Sequence, residues 1–181
     1  SQIPGNGVEP ASPQHLARQQ LIADSGVMAK MVEIIDYINQ EEESKNEFEP
    51  LTFIRSAELN ESVRCVHNLI KFNTRTQLGF ISLNGFDAIN RTLERYDEIT
   101  LKAFKFLYDE DKTCRTTCIS LLSSLFDGEN RHGRHEQLLQ TDSGVEMAQI
   151  AMQWMLSVAH TSGQVQAVHE RATQWGLSLE E

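Results

Sequence analysis

From Leu51 to Glu181 the chain contains no proline. Proline removes a backbone donor and breaks helix interiors, so this whole span is open to helix formation. Its apolar residues recur at three- and four-residue spacing, as in Val63, Val66 and Ile70, or Ile89 and Leu93. The pattern returns at Cys118, Leu121, Leu122 and Leu125, and again at Met147, Ile150, Ala151 and Met155. That period lays an apolar stripe along a helix, and no segment sustains the two-residue alternation of a strand. Breakers fall between the stripes: "NGF" at 84–86, "YDE" at 96–98, "DGEN" at 127–130 and "HTSG" at 160–163. The expected helices are 14–24, 26–39, 50–57, 60–72, 74–83, 86–95, 99–109, 112–126, 132–141, 144–159 and 164–176. Residues 1–13 hold three of the four prolines and read as a flexible leader to a single domain, 14–181. The acidic run "NQEEESKNEFE", 39–49, reads as a solvated loop.

Three segments share a pattern around a glycine: "RQQLIADSGVMAKMVEII" (18–35), "RTQLGFISLNGFDAINRTL" (75–93) and "HEQLLQTDSGVEMAQIAMQWM" (135–155). Each carries Gln-Leu upstream of the glycine, an apolar residue just after it, and then an amphipathic helix. The glycines Gly26, Gly85 and Gly144 are evenly spaced by 59 residues (85 − 26 and 144 − 85). Glycine takes up the left-handed conformation that ends one helix, and the apolar residue beyond anchors the next. The expected unit is therefore a helix, a glycine corner and a second helix packed across it. One such unit cannot bury its apolar faces alone, whereas stacked units share a continuous core.

The segment "SVRCVHNLIKFNTRTQLGFISLNGFDAINRTL" (62–93) resembles the armadillo pattern, and the resemblance extends loosely over 16–159. It implies an all-α, armadillo-like right-handed superhelix, an α-solenoid of about three irregular repeat units. The units run longer than usual, and the helix expected at 99–109 is an extra element. Among armadillo families, 62–108 looks most like the nucleotide exchange factors of the 70-kilodalton heat-shock chaperones. Gln77, Phe80, Ile81, Leu83 and Gly85 carry that likeness, with "LKAFKFLYDE" at 101–110 as a following helix. It implies a module that clasps a chaperone ATPase domain and loosens ADP without chemistry of its own. The helical regulatory regions of formins and of inositol-trisphosphate and ryanodine receptors use similar units. Their partners are small GTPases or other parts of the same large protein.

The resemblance further implies that recognition lies on the concave face, formed by the exposed side of the third helix in each unit. On 86–95, Phe86, Ile89 and Leu93 are core positions, leaving Asp87, Asn90, Arg91 and Glu94 outward. The comparable outward sets are Lys30, Glu33 and Tyr37 on 26–39, and Glu146, Gln149 and Gln153 on 144–159. Trp154 stands at an edge and reads as a partner anchor or as core packing. Trp175 is expected to cover the end of the last helix pair.

The formal net charge of −10 supplies no excess of cations for phosphate, which disfavours sequence-independent nucleic-acid binding and docking on anionic membranes. No run approaches a membrane span. A basic or apolar protein partner suits the balance, and the oligomeric state is open. Cys114 and Cys118 lie four apart on one helix and Cys65 stands alone, so reduced thiols and a cytoplasmic compartment are expected. The triplets Asn60-Glu61-Ser62 and Asn90-Arg91-Thr92 keep the endoplasmic-reticulum lumen as the alternative.

His132 and His135 with Cys114 and Cys118 have the residue types of a zinc set, but Gly133 and its charged neighbours read as an exposed turn and the cysteines as core fillers, Cys118 by its place in an apolar stripe. No Gly-x-Ser-x-Gly elbow and no glycine-rich phosphate loop is present, and the paired carboxylates sit at helix boundaries. The expected function is a non-enzymatic protein-interaction scaffold with no cofactor. The alternative class is a metal-binding or hydrolytic helical domain.

Overall fold

A computed structural model describes residues 12–45, 50–126 and 141–179. The described residues form eight α-helices, one π-helical turn and no strand. The helices are α1 (Pro13–Asp24), α2 (Val27–Glu43), α3 (Phe53–Ile70), α4 (Thr74–Ser82), α5 (Gly85–Asp97), α6 (Asp109–Leu125), α7 (Asp142–Ser157) and α8 (Ser162–Gln174). Residues 132–140 of the expected helix 132–141, with His132, His135 and the third Gln-Leu, lie outside the described residues, as do 1–11 of the expected leader. Pro13, expected in the leader, instead opens α1 behind the cap Ser12, a position where its missing N–H costs nothing.

The all-α expectation holds for the described residues, with three corrections. The two helices expected at 50–57 and 60–72 are one. Asn60, a residue that usually prefers loops, is buried inside α3 and donates its amide to Glu110 at 2.9 Å. One turn earlier the Ser56 hydroxyl donates to Asp111 at 2.7 Å. The acidic run begins in helix rather than loop, because α2 continues through Gln40 to Glu43. The helix expected at 99–109 does not form. Instead α5 widens into a π turn, Glu98–Lys102, and the chain then runs extended to α6. Phe104 adopts a left-handed φ of 55°, which no helix accommodates.

Helix α3 packs against α1, α2, α4 and α6. It runs parallel to α6, since Ser56 meets Asp111 near both N-termini and His67 meets Ser124 near both C-termini. Helix α1 also packs on α4, α2 on α5, α5 on α6, and α7 on α6 and α8. Buried amides register these contacts. Asn39 of α2 donates to the Ala88 carbonyl (3.1 Å) and Thr92 hydroxyl (3.0 Å) of α5. Gln19 of α1 donates to the carbonyls of Asn68 and Lys71 at the end of α3, both at 2.9 Å. Gln77 of α4 donates to the carbonyls of Ile70 (2.9 Å) and Ser124 (3.4 Å).

The three glycines are not three copies of one hinge. Gly26 is left-handed (φ 92°) and caps α2. At the next corner the left-handed residue is Asn84 (φ 60°), and Gly85 is the first residue of α5. Gly144 lies inside the first turn of α7, because Thr141 accepts its amide at 3.0 Å and starts that helix earlier. Burial gives the true register. Met28, Ile35 and Ile38 of α2 match Phe86, Leu93 and Tyr96 of α5 at an offset of 58 (86 − 28), which also pairs Gln19 with Gln77. Between α5 and α7 the offset is 59 (144 − 85), pairing Gly85, Ile89, Leu93 and Tyr96 with Gly144, Ala148, Met152 and Met155.

Gly85 is required by close approach, since an added Cβ would fall inside the fully buried Phe80 ring. Gly26 is required by its conformation alone, with open space around it. Gly85→Ala should therefore cost about 3 kcal/mol through overpacking. Gly26→Ala should cost only about 1 kcal/mol for the left-handed backbone. Urea midpoints of the two variants check the ranking, and an equal loss would contradict it.

Candidate functional site

The expected recognition residues divide between two faces. The first centres on α5, whose Phe86, Ile89 and Leu93 point into the core. That leaves Asp87, Arg91 and Glu94 exposed, with Asn90 half-buried. Asn90 is the joint of this face. It donates to Glu94 at 3.2 Å and accepts the indole N–H of Trp154 from α7 at 2.7 Å. Trp154 is thus half-buried and spoken for, rather than a fully exposed anchor. Gln149, Gln153 and Glu146 are exposed on α7.

On the α2 side the face is completed by Asp36, which sequence reasoning passed over. Burial raises the Asp36 carboxyl above its ordinary range, Arg91 opposes that, and Asp87 and Glu43 add to it. Glu42, Glu43, Glu94 and Glu98 line a pocket of about 270 Å³ between α2 and α5 together with Asn39, Arg91 and the buried Arg95. Carboxylates therefore crowd around Arg91, an arrangement that attracts cationic side chains and discriminates against anions. The signal that could have found Asp36 is the offset of 58, which pairs it with Glu94 (94 − 36).

Lys30, Glu33 and Tyr37 go elsewhere. They line a larger groove between α2 and α3, of about 1130 Å³, together with Ile34, Arg55, Cys65 and Asp36, which borders both surfaces. Lys30 pairs with Glu33 at 3.4 Å. Arg55 bridges Glu41 (3.0 Å) and Glu58 (2.8 Å), and its guanidinium lies 5.6 Å from the centre of the Tyr37 ring. At the same offset of 58, Lys30 and Ile34 correspond to Ala88 and Thr92 of α5. Those two α5 residues are the ones Asn39 of α2 holds. The α2–α3 groove is thus the open counterpart of a face that is covered one unit later.

A third groove, of about 580 Å³, is lined by His67, Ser120, Ser123, Ser124, Met155 and Arg171, among others. His67 Nε2 lies 3.1 Å from the Ser124 hydroxyl. That hydroxyl donates to the Ser120 carbonyl at 3.0 Å, and burial, aided by the Lys71 charge, lowers the imidazole pKa to about 4. A base so weak at neutral pH does not activate a serine. Cys65, two residues before His67, lines the α2–α3 groove instead.

Cys114 and Cys118 are buried in the core beside Tyr96, and all three cysteines are free thiols. Their expected histidine companions, His132 and His135, lie outside the described residues. Among the described residues no three His, Cys, Asp or Glu side chains gather as a metal site. Asn60 of the first glycosylation triplet is buried inside α3, and Asn90 of the second is bonded within α5. No helix of the described residues is long and apolar enough to cross a membrane.

The His67 shift has a pH consequence. Its folded pKa, about 4, lies below the ordinary value of 6.5, so the unfolded chain takes up the proton first as pH falls. The stability from neutral His67 is present above pH 6.5 and is lost progressively toward pH 4. Denaturant midpoints should therefore fall between pH 7 and 5 by more in the parent protein than in His67→Gln. Equal falls in the two proteins would show that His67 is not the group responsible.

Compared with protein-family models, curated proteins and solved structures, the chain matches none.

Proposed function

We propose that this chain is a non-enzymatic, armadillo-like interaction module that binds a basic segment of another protein across α2, α5 and α7. The observation that carries this reading is the position of α5. Its Asp87, Asn90, Arg91 and Glu94 line a surface joined to α2 through Asn39 and Asp36 and to α7 through Trp154. A repeated helix presenting polar residues over a shared apolar core is how solenoid scaffolds make extended binding surfaces. The packing of α1 on α4, α2 on α5 and α3 on α6 supports the solenoid arrangement. The excess of carboxylates around Arg91 supports a cationic partner. Three free thiols, two of them buried, fit a reducing cytoplasm.

Within this class the leading specific reading is a nucleotide exchange factor of a 70-kilodalton heat-shock chaperone. The basis is the residue pattern at 62–93. A second reading is a regulatory armadillo-like region of a formin-type or calcium-release-channel-type protein, with a small GTPase or an intramolecular partner. It is favoured by the open α2–α3 groove, whose α2 face matches one that a helix covers in the next unit.

Stopped-flow release of labelled ADP from chaperone ATPase domains tests the leading reading. Acceleration is expected, with a loss of tenfold or more, about 1.4 kcal/mol, when exposed Asp87 and Glu94 are both changed to lysine. No acceleration by any chaperone tested would exclude the exchange-factor reading. Acceleration that survives the double change would move the contact off this face.

A further inference from the structure

Six large apolar side chains stand in solvent at one end of the molecule. Phe53 and Ile54 open α3 and are 80% and 69% exposed. Leu101 in the π turn is 68% exposed, and Phe104, Phe106 and Tyr108 in the extended segment are 85%, 92% and 62% exposed. The Ser56–Asp111 and Asn60–Glu110 hydrogen bonds hold the N-termini of α3 and α6 side by side, which brings Phe53 and Ile54 beside the segment 101–108 that leads into α6. Phe53 and Tyr108 each stand three residues ahead of that first pair. Leu51 and Leu107 are buried at the same end and anchor both chain segments. In 103–108 alternate side chains point out, with Leu107 turned in, so the segment presents an aromatic edge.

Soluble proteins rarely leave a contiguous apolar patch of this size uncovered. Phe104 is held outward by a left-handed backbone that a bulky residue resists. With aromatic side chains of roughly 150–250 Å² each, the six residues at these exposures present on the order of 800 Å². A standard interface takes about 800 Å² from each partner, so the patch matches one side of a stable pair.

We propose that this patch is the self-association surface of the chain, and that two copies bury it against each other about a two-fold axis. An apolar patch is complementary to itself, which an isologous interface requires. The charges around it speak against an anionic lipid surface. Lys102 is paired with Glu98 at 3.3 Å, Lys105 has a partner of its own, and Asp109 and Glu110 follow at once in α6. The patch adjoins the α2–α5 pocket at Glu98 and does not depend on the function proposed for that face.

Sedimentation velocity over roughly 1–100 μM, where interfaces of this size begin to dissociate, tests the proposal. A concentration-dependent dimer is expected, and it should strengthen with added salt, because each copy carries a net charge of −10 that salt screens. Phe104→Glu with Phe106→Glu, and separately Phe53→Glu, should weaken dimerisation at least tenfold without changing far-ultraviolet circular dichroism. Phe104→Gly adds a control against misfolding. It should raise the thermal midpoint of the monomer by relieving the backbone while also weakening the dimer. A monomer throughout the concentration range, or a dimer untouched by all three variants, overturns the proposal. Binding to phosphatidylserine vesicles that the Phe variants abolish, without self-association, also overturns it and makes the patch a lipid contact.

Discussion

The parallel pairing of α3 with α6 is the interaction on which the other contacts hang. Leu59, Val63, Val66 and Ile70 bury their side chains completely along α3, and Cys114, Cys118, Leu121 and Leu125 do so along α6. Each aliphatic side chain so buried contributes about 1.5–3 kcal/mol against exposure. Apolar stripes alone would tolerate sliding, since a one-turn slip still buries methyl groups. Ser56 with Asp111 at one end and His67 with Ser124 at the other make such a slip costly, because it would leave buried polar groups without partners.

The same principle sets the remaining layers. Asn39, Gln19 and Gln77 are buried amides whose donors reach carbonyls on neighbouring helices. Arg95 extends this logic to a charge. It is buried between α5 and α6, stacks on the Tyr96 ring at 5.2 Å, and acts electrostatically on the buried Asp111. Its nitrogens have no hydrogen-bond partner among the described residues. A charge held this way ties the first turn of α6 to the last turn of α5, just before the chain widens into the π turn and emerges with its aromatics exposed.

Much of the helical plan was legible in the residue pattern, and its failures share one cause. The period around Val63 and Leu93 placed the core faces correctly, because helical spacing alone decides which residues share a side. The gap expected at 58–59 does not exist, because Ser56 and Asn60 on either side of it find partners in Asp111 and Glu110 and the helix runs through. The stretch 99–109 read as a helix from its composition, but the π turn and Phe104 divert it. Burial matches α2 to α5 at an offset of 58 rather than the 59 of the glycines, and at 58 the counterpart of Glu94 is Asp36, next to the expected Tyr37. Asp36 and Tyr37 both border the α2–α3 groove, and Asp36 alone also feels the Arg91 charge of α5. On α5 the period alone placed Asp87, Arg91 and Glu94 outward, while Asn90 is half-buried against Trp154.

Proline-free length and apolar period determined, from the sequence alone, that the described chain is helical and which stripe of each helix faces inward. Local rules suffice there, because helix formation and amphipathicity depend on residues three and four apart. Tertiary structure alone decided which helices lie together, that Lys30 and Arg91 line different pockets with Asp36 bordering both, and that the segment 101–108 leads to the N-terminus of α6 beside that of α3. Those outcomes rest on contacts between residues some fifty positions apart, such as Asn39 with Thr92 and Ser56 with Asp111. Their partners are chosen by shape and by the cost of burying an unpaired polar group, and neither is written in any local window of the chain.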